Sequence, residues 1–238
     1  MKISIIIPMY NSKDIEKNID AAIKSLNEVT KDYEIILVND GSLNGCFEKA
    51  KKLKNPRLKV VGYNRNQGKG CAIKYGFNFV NGDYVAFVDS GGDINPKQLK
   101  TFLEIMQKEK ADIVIGSKRH ANSIVHYPFI RRLMSKTYQI LNKILFNLKV
   151  QDTQVGIKLF KKEVLEKVMP KIAIKRFAFD LELLVLASKY NFKIKDAPVV
   201  IKYKFGSTIN PFSVFWMLWD TFAIFYRLRI LKYYDKRT

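Results

Sequence analysis

Tyr84-Val85-Ala86-Phe87-Val88-Asp89-Ser90-Gly91-Gly92-Asp93 decides how this chain is read. Five strand-forming residues run into a turn that presents two carboxylates around a pair of glycines. Glycine lets backbone approach a ligand closely. Carboxylate oxygens in such a place suit a hard divalent cation that also holds phosphates. An acidic turn after a buried strand has the same appearance, so the neighbouring segments must choose between the two.

Upstream, short apolar runs alternate with amphipathic stretches. Strand-like runs are Ser4–Pro8, Tyr33–Val38, Leu58–Gly62, Tyr84–Val88 and Ile113–Gly116. Helix-like stretches lie near Asp14–Asn27, Phe47–Leu53, Gly70–Phe79 and Pro96–Lys108. This βαβα rhythm predicts an α/β fold, a Rossmann-like and mostly parallel sheet flanked by helices. Ligands of such sheets bind beyond the carboxyl ends of the strands. Four strands end in polar or turn residues, at Pro8–Asn11, Asn39–Ser42, Asn64–Asn66 and Asp89–Gly91, and these ends should share one edge. Beyond about residue 120 the rhythm breaks. Tyr127–Leu148 reads as one long helix, Gln151–Gly156 as a polar loop, Lys175–Tyr190 contains a helix, and Lys193–Lys204 resembles a strand region.

Composition narrows the function classes. The chain has 238 residues, is 47% hydrophobic and 27% charged, and so has the make-up of a globular protein. With 42 Lys+Arg against 22 Asp+Glu, the formal net charge of +20 implies an anionic partner. Nucleic acid would explain the charge, but no helix-turn-helix, zinc-finger or RNP-like signature is present, and the polar strand ends would be left without a purpose. Two cysteines make no disulfide scaffold, which suggests a reducing compartment, and two histidines make a His-based zinc enzyme improbable. The apolar run Ile3–Ile7 is too short for a signal-peptide core. No stretch offers the roughly 20 apolar residues of a membrane span.

Two further motifs carry candidate chemistry. In Asn39-Asp40-Gly41-Ser42, Asp40 at a strand end can accept hydrogen bonds from a base or ribose, or the motif is an ordinary strand-to-helix turn. In Asn66-Gln67-Gly68-Lys69-Gly70, Gly68 and Lys69 open a helix in a manner suited to an anion, although the P-loop spacing is absent. A solvated lysine in a helix-start turn is the plain alternative.

Taken in order, Ile7–Asn11, Val38–Ser42, Asn66–Gly70, Val88–Gly91 and Gln151-Asp152-Thr153-Gln154-Val155-Gly156 through Phe160 resemble family 2 glycosyltransferases of the GT-A fold. Within them the series is similar to the polyprenyl-phosphate (dolichyl-phosphate) sugar synthases. Arg176–Leu184, Gly206–Pro211 and Met217–Asp220 are closer to the dolichyl-phosphate glucosyltransferases than to the mannosyl enzymes.

The resemblance implies an inverting hexosyltransferase. It would move a sugar from a nucleotide sugar, UDP-glucose favoured and GDP-mannose the alternative, to a polyprenyl or dolichyl phosphate. It assigns Pro8, Tyr10, Asn11, Asp40, Gly68, Lys69, Asp89 and Ser90 to the donor. Asp89, with Asp93 as second carboxylate, would hold Mg²⁺ or Mn²⁺. Arg119, Arg131 and Arg132 would bind acceptor or donor phosphate, or else are solvated charge. Asp152, Gln154 and Asp180 would hold sugar hydroxyls or orient the acceptor beside Asp89, with Asp180 equally readable as a helix-start acid.

The chain departs from the family pattern at three places. Gly91 stands where the second Asp of the metal motif is usual, Asn39 where Asp is frequent, and Ser12 where Glu is frequent. The first departure leaves room for a non-catalytic nucleotide-sugar-binding, membrane-associated protein.

The expected organisation is a GT-A domain over 1–210 and an amphipathic helix over 211–238. The helix carries aromatic residues and flanking cations, the signature of a membrane interface, which predicts a peripheral protein at the cytoplasmic face on anionic lipid. A helix packed on the core, or on a partner subunit in a homo-oligomer, is the competing reading.

Overall fold

The computed structural model describes residues 1–125, 129–176, 178–202 and 211–236. Four parallel strands build its first half: β1 (Ile3–Met9), β2 (Tyr33–Asp40), β3 (Leu58–Tyr63) and β4 (Tyr84–Val88). Between them run α1 (Ile15–Asn27), α2 (Cys46–Lys51) and α3 (Lys69–Phe77). Then follow α4 (Leu99–Lys108), β5 (Ile113–Ser117), the two-residue β6 (Ile124–Val125) and α5 (Phe129–Phe146). The chain continues through β7 (Ile157–Lys161), α6 (Lys162–Val168), α7 (Phe179–Lys189), β8 (Ile194–Pro198), β9 (Val200–Ile201), α8 (Pro211–Phe225) and α9 (Tyr233–Lys236).

The main sheet has the order β3-β2-β1-β4-β7-β5-β8. Only β7 runs against its neighbours. Near-continuous apolar strands are buried on both faces, as parallel sheets require. Alternation along each strand divides the core. Ile6, Ile36, Val38 and Phe87 face α3 and α7, while Ile5, Ile35, Leu37 and Val88 face α1 and α4. From β1 the chain adds strands toward β3, then crosses back to place β4 on the other side of β1. That reversal opens a crevice between the carboxyl ends of β1 and β4. The four polar strand ends therefore do share one edge.

Strand β7 pairs Val88 with Ile157, and this register places the loop before β7 against the acidic turn after β4. The C-terminal helices are fastened to this body. Tyr138 on α5 and Thr221 on α8 share a hydrogen bond of 2.9 Å, and Tyr234 donates to the buried Glu182 of α7. Glu182 also accepts from Ala173 N and Ile174 N, at 3.0 and 2.7 Å, so it ties a loop to a helix and a terminus. Helix α8 nonetheless exposes Phe215, Trp219 and Phe222, and Trp219 is 62% exposed. Among the described residues no helix is long and apolar enough to cross a membrane.

Candidate active site

The cleft at the strand edge has a volume of about 510 Å³. Pro8 and Tyr10 from the end of β1, Lys69 at the start of α3, Asp89 and Ser90 after β4, and Arg176 before α7 line it. Its wall is a web of loop contacts. Asp40 accepts from Tyr63 OH (2.8 Å), Asn66 Nδ2 (3.0 Å), Gln67 N (2.8 Å) and Gly68 N (3.0 Å). Half-buried beside this carboxylate, the Tyr63 phenol is pushed far up by loss of solvent and then by Asp40. Across the mouth, Asn11 N donates to Ser42 Oγ (3.0 Å) and Leu43 N donates to Asn11 Oδ1 (2.8 Å). Gly41 has φ +69, and a Cβ there would lie 2.4 Å from Asn66 N, so only glycine allows the two loops to touch.

Four charges form the floor. Lys69 Nζ lies 2.8 Å from Asp89 Oδ1 and 3.3 Å from Asp180 Oδ2. Lys158 Nζ lies 2.9 Å from Asp180 Oδ1 and donates to Val155 O at 2.6 Å. Asp89 is half-exposed, whereas Asp180 and Lys158 are buried. Burial would raise the Asp180 carboxyl, but the two lysines outweigh it and hold it below its ordinary value. Burial lowers Lys158 despite the attraction of Asp180. Lys69 is raised, because its two carboxylates overcome its desolvation. Behind Asp89 stands Gly156: Asp89 N donates to Gly156 O at 3.0 Å, and a Cβ on Gly156 would sit 2.0 Å from Asp89 Oδ2.

A divalent cation would find the carboxylate of Asp89 in this cleft. Among the described residues no group of three or more His, Cys, Asp or Glu side chains could hold a metal. Asp89 offers a carboxylate in the cleft, and Asp93 lies beyond the Gly91–Gly92 turn, outside the cleft lining. One or two carboxylates plus phosphate oxygens is the coordination that Mg²⁺ ordinarily accepts, so the missing ligands would come from a diphosphate.

A second region is reached along the loop that ends at Gly156. Buried Asp152 accepts from Gln154 N (3.0 Å) and pairs with Lys118 Nζ (3.2 Å). Lys118 borders a basic pocket of about 390 Å³ together with Arg119, Arg132 and Lys136. It also borders an apolar groove of about 480 Å³ between α5 and α8, lined by Leu133, Tyr138, Met217 and Leu218. Gln154 lines the same groove, and its Nε2 is a buried donor with no partner among the described residues.

The profile of Glycosyl transferase family 2 matches residues 4–169. This chain belongs to that family. Dolichyl-phosphate beta-glucosyltransferase of Dictyostelium discoideum is 34% identical over 227 residues, covering 89% of this chain and 69% of that protein. The human dolichyl-phosphate beta-glucosyltransferase is 28% identical over 247 residues, covering 97% and 76%. Among solved structures, glucosyl-3-phosphoglycerate synthase from Mycobacterium tuberculosis in complex with UDP superposes with a TM-score of 0.71 at 15% identity, covering 94% of this chain and 79% of that one. Mannosyl-3-phosphoglycerate synthase from Rubrobacter xylanophilus gives 0.72 at 16% identity, covering 100% and 76%. At such identities the likeness is one of fold, and it is the GT-A fold.

In this family 2 glycosyltransferase the residues singled out from sequence fall into three groups. Pro8, Tyr10, Asp40, Gly68, Lys69, Asp89 and Ser90 line the cleft, with Asn11 bracing its mouth. Asp40 lines it with both oxygens engaged by the chain's own donors, so a base N–H would compete with them. Asp152 and Asp180 are buried, Asp152 paired with Lys118 and Asp180 with Lys69 and Lys158. Arg119 and Arg132 line the basic pocket. The side chain of Arg131, Phe177 and residues 203–210 lie outside the described residues.

Sequence reading gave no role to Arg176, Lys158, Lys136 or Gly156. Lys158 had a signal: an ionisable residue inside the run Ile157–Phe160 demands a buried partner. Gly156 had none, since its purpose is the space it leaves for a residue 67 positions away in sequence.

Proposed function

We propose that this chain transfers glucose from UDP-glucose to dolichyl phosphate with inversion, giving a β-linked lipid-phosphate sugar. The observation that carries the reading is the junction at Lys118. There a basic pocket meets an apolar groove, and the loop that carries Asp152 and Gln154 runs on to Gly156 behind Asp89. The names of the relatives point to the same donor sugar and the same acceptor.

The chemistry asks little of a general base. A phosphomonoester with a second pKa of about 6 is already mostly ionised at neutral pH. The harder tasks are bringing two anions together and stabilising the departing diphosphate. Arg176 and Lys69 face the donor side, while Arg119, Arg132 and Lys136 face the acceptor side. Guanidinium groups bind phosphate in bidentate fashion. Mg²⁺ or Mn²⁺ held by Asp89 would supply Lewis-acid stabilisation of the leaving group. Gln154 Nε2, on the groove and without a partner among the described residues, would be free to donate to an acceptor oxygen.

The exposed aromatic side chains of α8 and the net positive charge fit a protein lying on an anionic membrane face, in this reading the cytoplasmic one. Cosedimentation with phosphatidylserine vesicles checks this, and no loss of binding on Trp219→Glu would count against it.

The deciding assay supplies labelled UDP-glucose, dolichyl phosphate in detergent and Mg²⁺ or Mn²⁺, with GDP-mannose in parallel. Label in the lipid extract is expected from UDP-glucose and should fall about 100-fold or more on Asp89→Ala. Absence of lipid-extractable label from either donor sinks the reading.

A further inference from the structure

Asp89 is the carboxylate that the proposed function gives to a divalent cation, yet the chain supplies a cation of its own at the same oxygen. Lys69 Nζ is 2.8 Å from Asp89 Oδ1, and both residues line the cleft. The ammonium is held from below by Asp180 at 3.3 Å, and Asp180 is itself balanced by Lys158 at 2.9 Å. Two carboxylates and two ammoniums thus form a neutral set, open to the cleft only at Asp89 and Lys69.

The backbone fixes Lys69 in this place. Gly68 N donates to Asp40 and Gly70 N to Lys175 O at 2.9 Å. A Cβ on Gly70 would lie 2.8 Å from the Phe179 ring, so the first turn of α3 is pressed against α7, the helix that carries Asp180.

We infer that Lys69 is the resident counter-cation of Asp89 and makes divalent-cation binding depend on the donor diphosphate. A cation arriving alone meets an ammonium in its place and one carboxylate to share with it. A nucleoside diphosphate changes both conditions at once. Its oxygens accept the Lys69 ammonium, releasing Asp89, and they complete the coordination that Gly91 cannot. Lys69 therefore moves its partnership from carboxylate to diphosphate as donor and cation bind together. The inference rests on the cleft being the donor site and is independent of the acceptor.

The test uses Mn²⁺ alone as the probe, titrated into nucleotide-free protein and followed by the EPR signal of free Mn²⁺. Lys69→Met should bind Mn²⁺ about tenfold or more tighter than wild type, because a unit charge a few ångströms from the ion has been removed. Lys69→Gln, which keeps a hydrogen-bond donor for Asp180, is the second variant if the first does not fold. It should shift in the same direction. UDP should sharpen Mn²⁺ binding strongly in wild type and much less in the variants. Equal or weaker Mn²⁺ binding by a folded variant overturns the inference. Calorimetry of UDP on wild type with Mn²⁺ isolates the donor reading. No UDP binding overturns that reading and the inference with it, whereas UDP binding with unchanged Mn²⁺ affinity in the variants overturns the inference alone.

Discussion

The cleft beside β1 and β4 and the groove between α5 and α8 solve recognition in opposite ways. In the cleft, polar groups hold one another: Asp40 alone takes four donors from the loop of residues 63–68, and Asp89, Lys69, Asp180 and Lys158 form a closed electrostatic set. The groove is mostly apolar, with Leu133, Leu141, Met217 and Leu218 among its lining, Lys118 at its border and the amide of Gln154 without a partner among the described residues. The first is preorganised for a ligand of one shape with charges at fixed places. The second suits a chain that has many conformations and no polar handle past its phosphate. Rigidity is placed where charge develops, and tolerance where only burial is needed.

The contrast is sharpest at two glycines near the same carboxylate. In Gly156→Ala the new Cβ falls 2.0 Å from Asp89 Oδ2 and 2.5 Å from its Cγ, so the carboxylate must swing away. Asp89 is half-exposed and can move, so stability should change little while glucose transfer falls about 100-fold, as a misplaced catalytic group implies. In Gly91→Ala the nearest atom is Asp93 Oδ2 at 3.6 Å, an ordinary contact, and activity should stay within about twofold of wild type. Parallel thermal melts and initial rates separate the two. Similar losses in both variants would mean that Asp89 is not held where the geometry puts it.

On the acceptor side the expected effects are smaller and fall on a different constant. Arg132→Ala removes one cation of several from the basic pocket and should raise KM for dolichyl phosphate about tenfold. KM for UDP-glucose should stay nearly constant. A rise in the donor KM instead would place Arg132 with the diphosphate and blur the division between the two regions.

The smallest effect concerns the hinge between them. Asp196 accepts from Gln151 N at 3.2 Å and so ties down the loop that carries Asp152 and Gln154. Burial, and to a lesser degree Asp152, push its carboxyl up to about 6. Between about pH 4 and about pH 6 the folded chain then binds more protons here than the unfolded one, so this group makes stability fall as pH rises. Asp196→Asn should raise the melting temperature at pH 7 and lose that advantage at pH 4. A gain that is equal at both values would show that charge is not the cause.

The first half of the fold was legible because each of β1 to β4 is a mostly apolar run ending in a polar turn, and these runs alternate with amphipathic stretches. Strand β7 was not read as a strand. It is five residues long, contains Lys158, and passes straight into α6 with no turn signal. Its charge is tolerable only because Asp180 arrives from α7, a contact that no local pattern announces. The site divides in the same way. Asp89 could be picked out from its own neighbours, and Lys69 from a helix start. That these two residues share a bond, and that Asp180 and Asp152 support other groups from beneath, depends on pairings across the sheet. The groove was invisible for a related reason: α5 and α8 each look like amphipathic helices, and the trough exists only in their packing.

That trough has an open flank, where Leu133 is 55% exposed. Its volume of about 480 Å³ is far less than a long isoprenoid needs, so most of such a tail would lie outside it. A polyprenyl chain would meet the groove along this flank. The enzyme is then a reader of beginnings: it inspects the phosphate and the first few carbons and is indifferent to where the lipid stops.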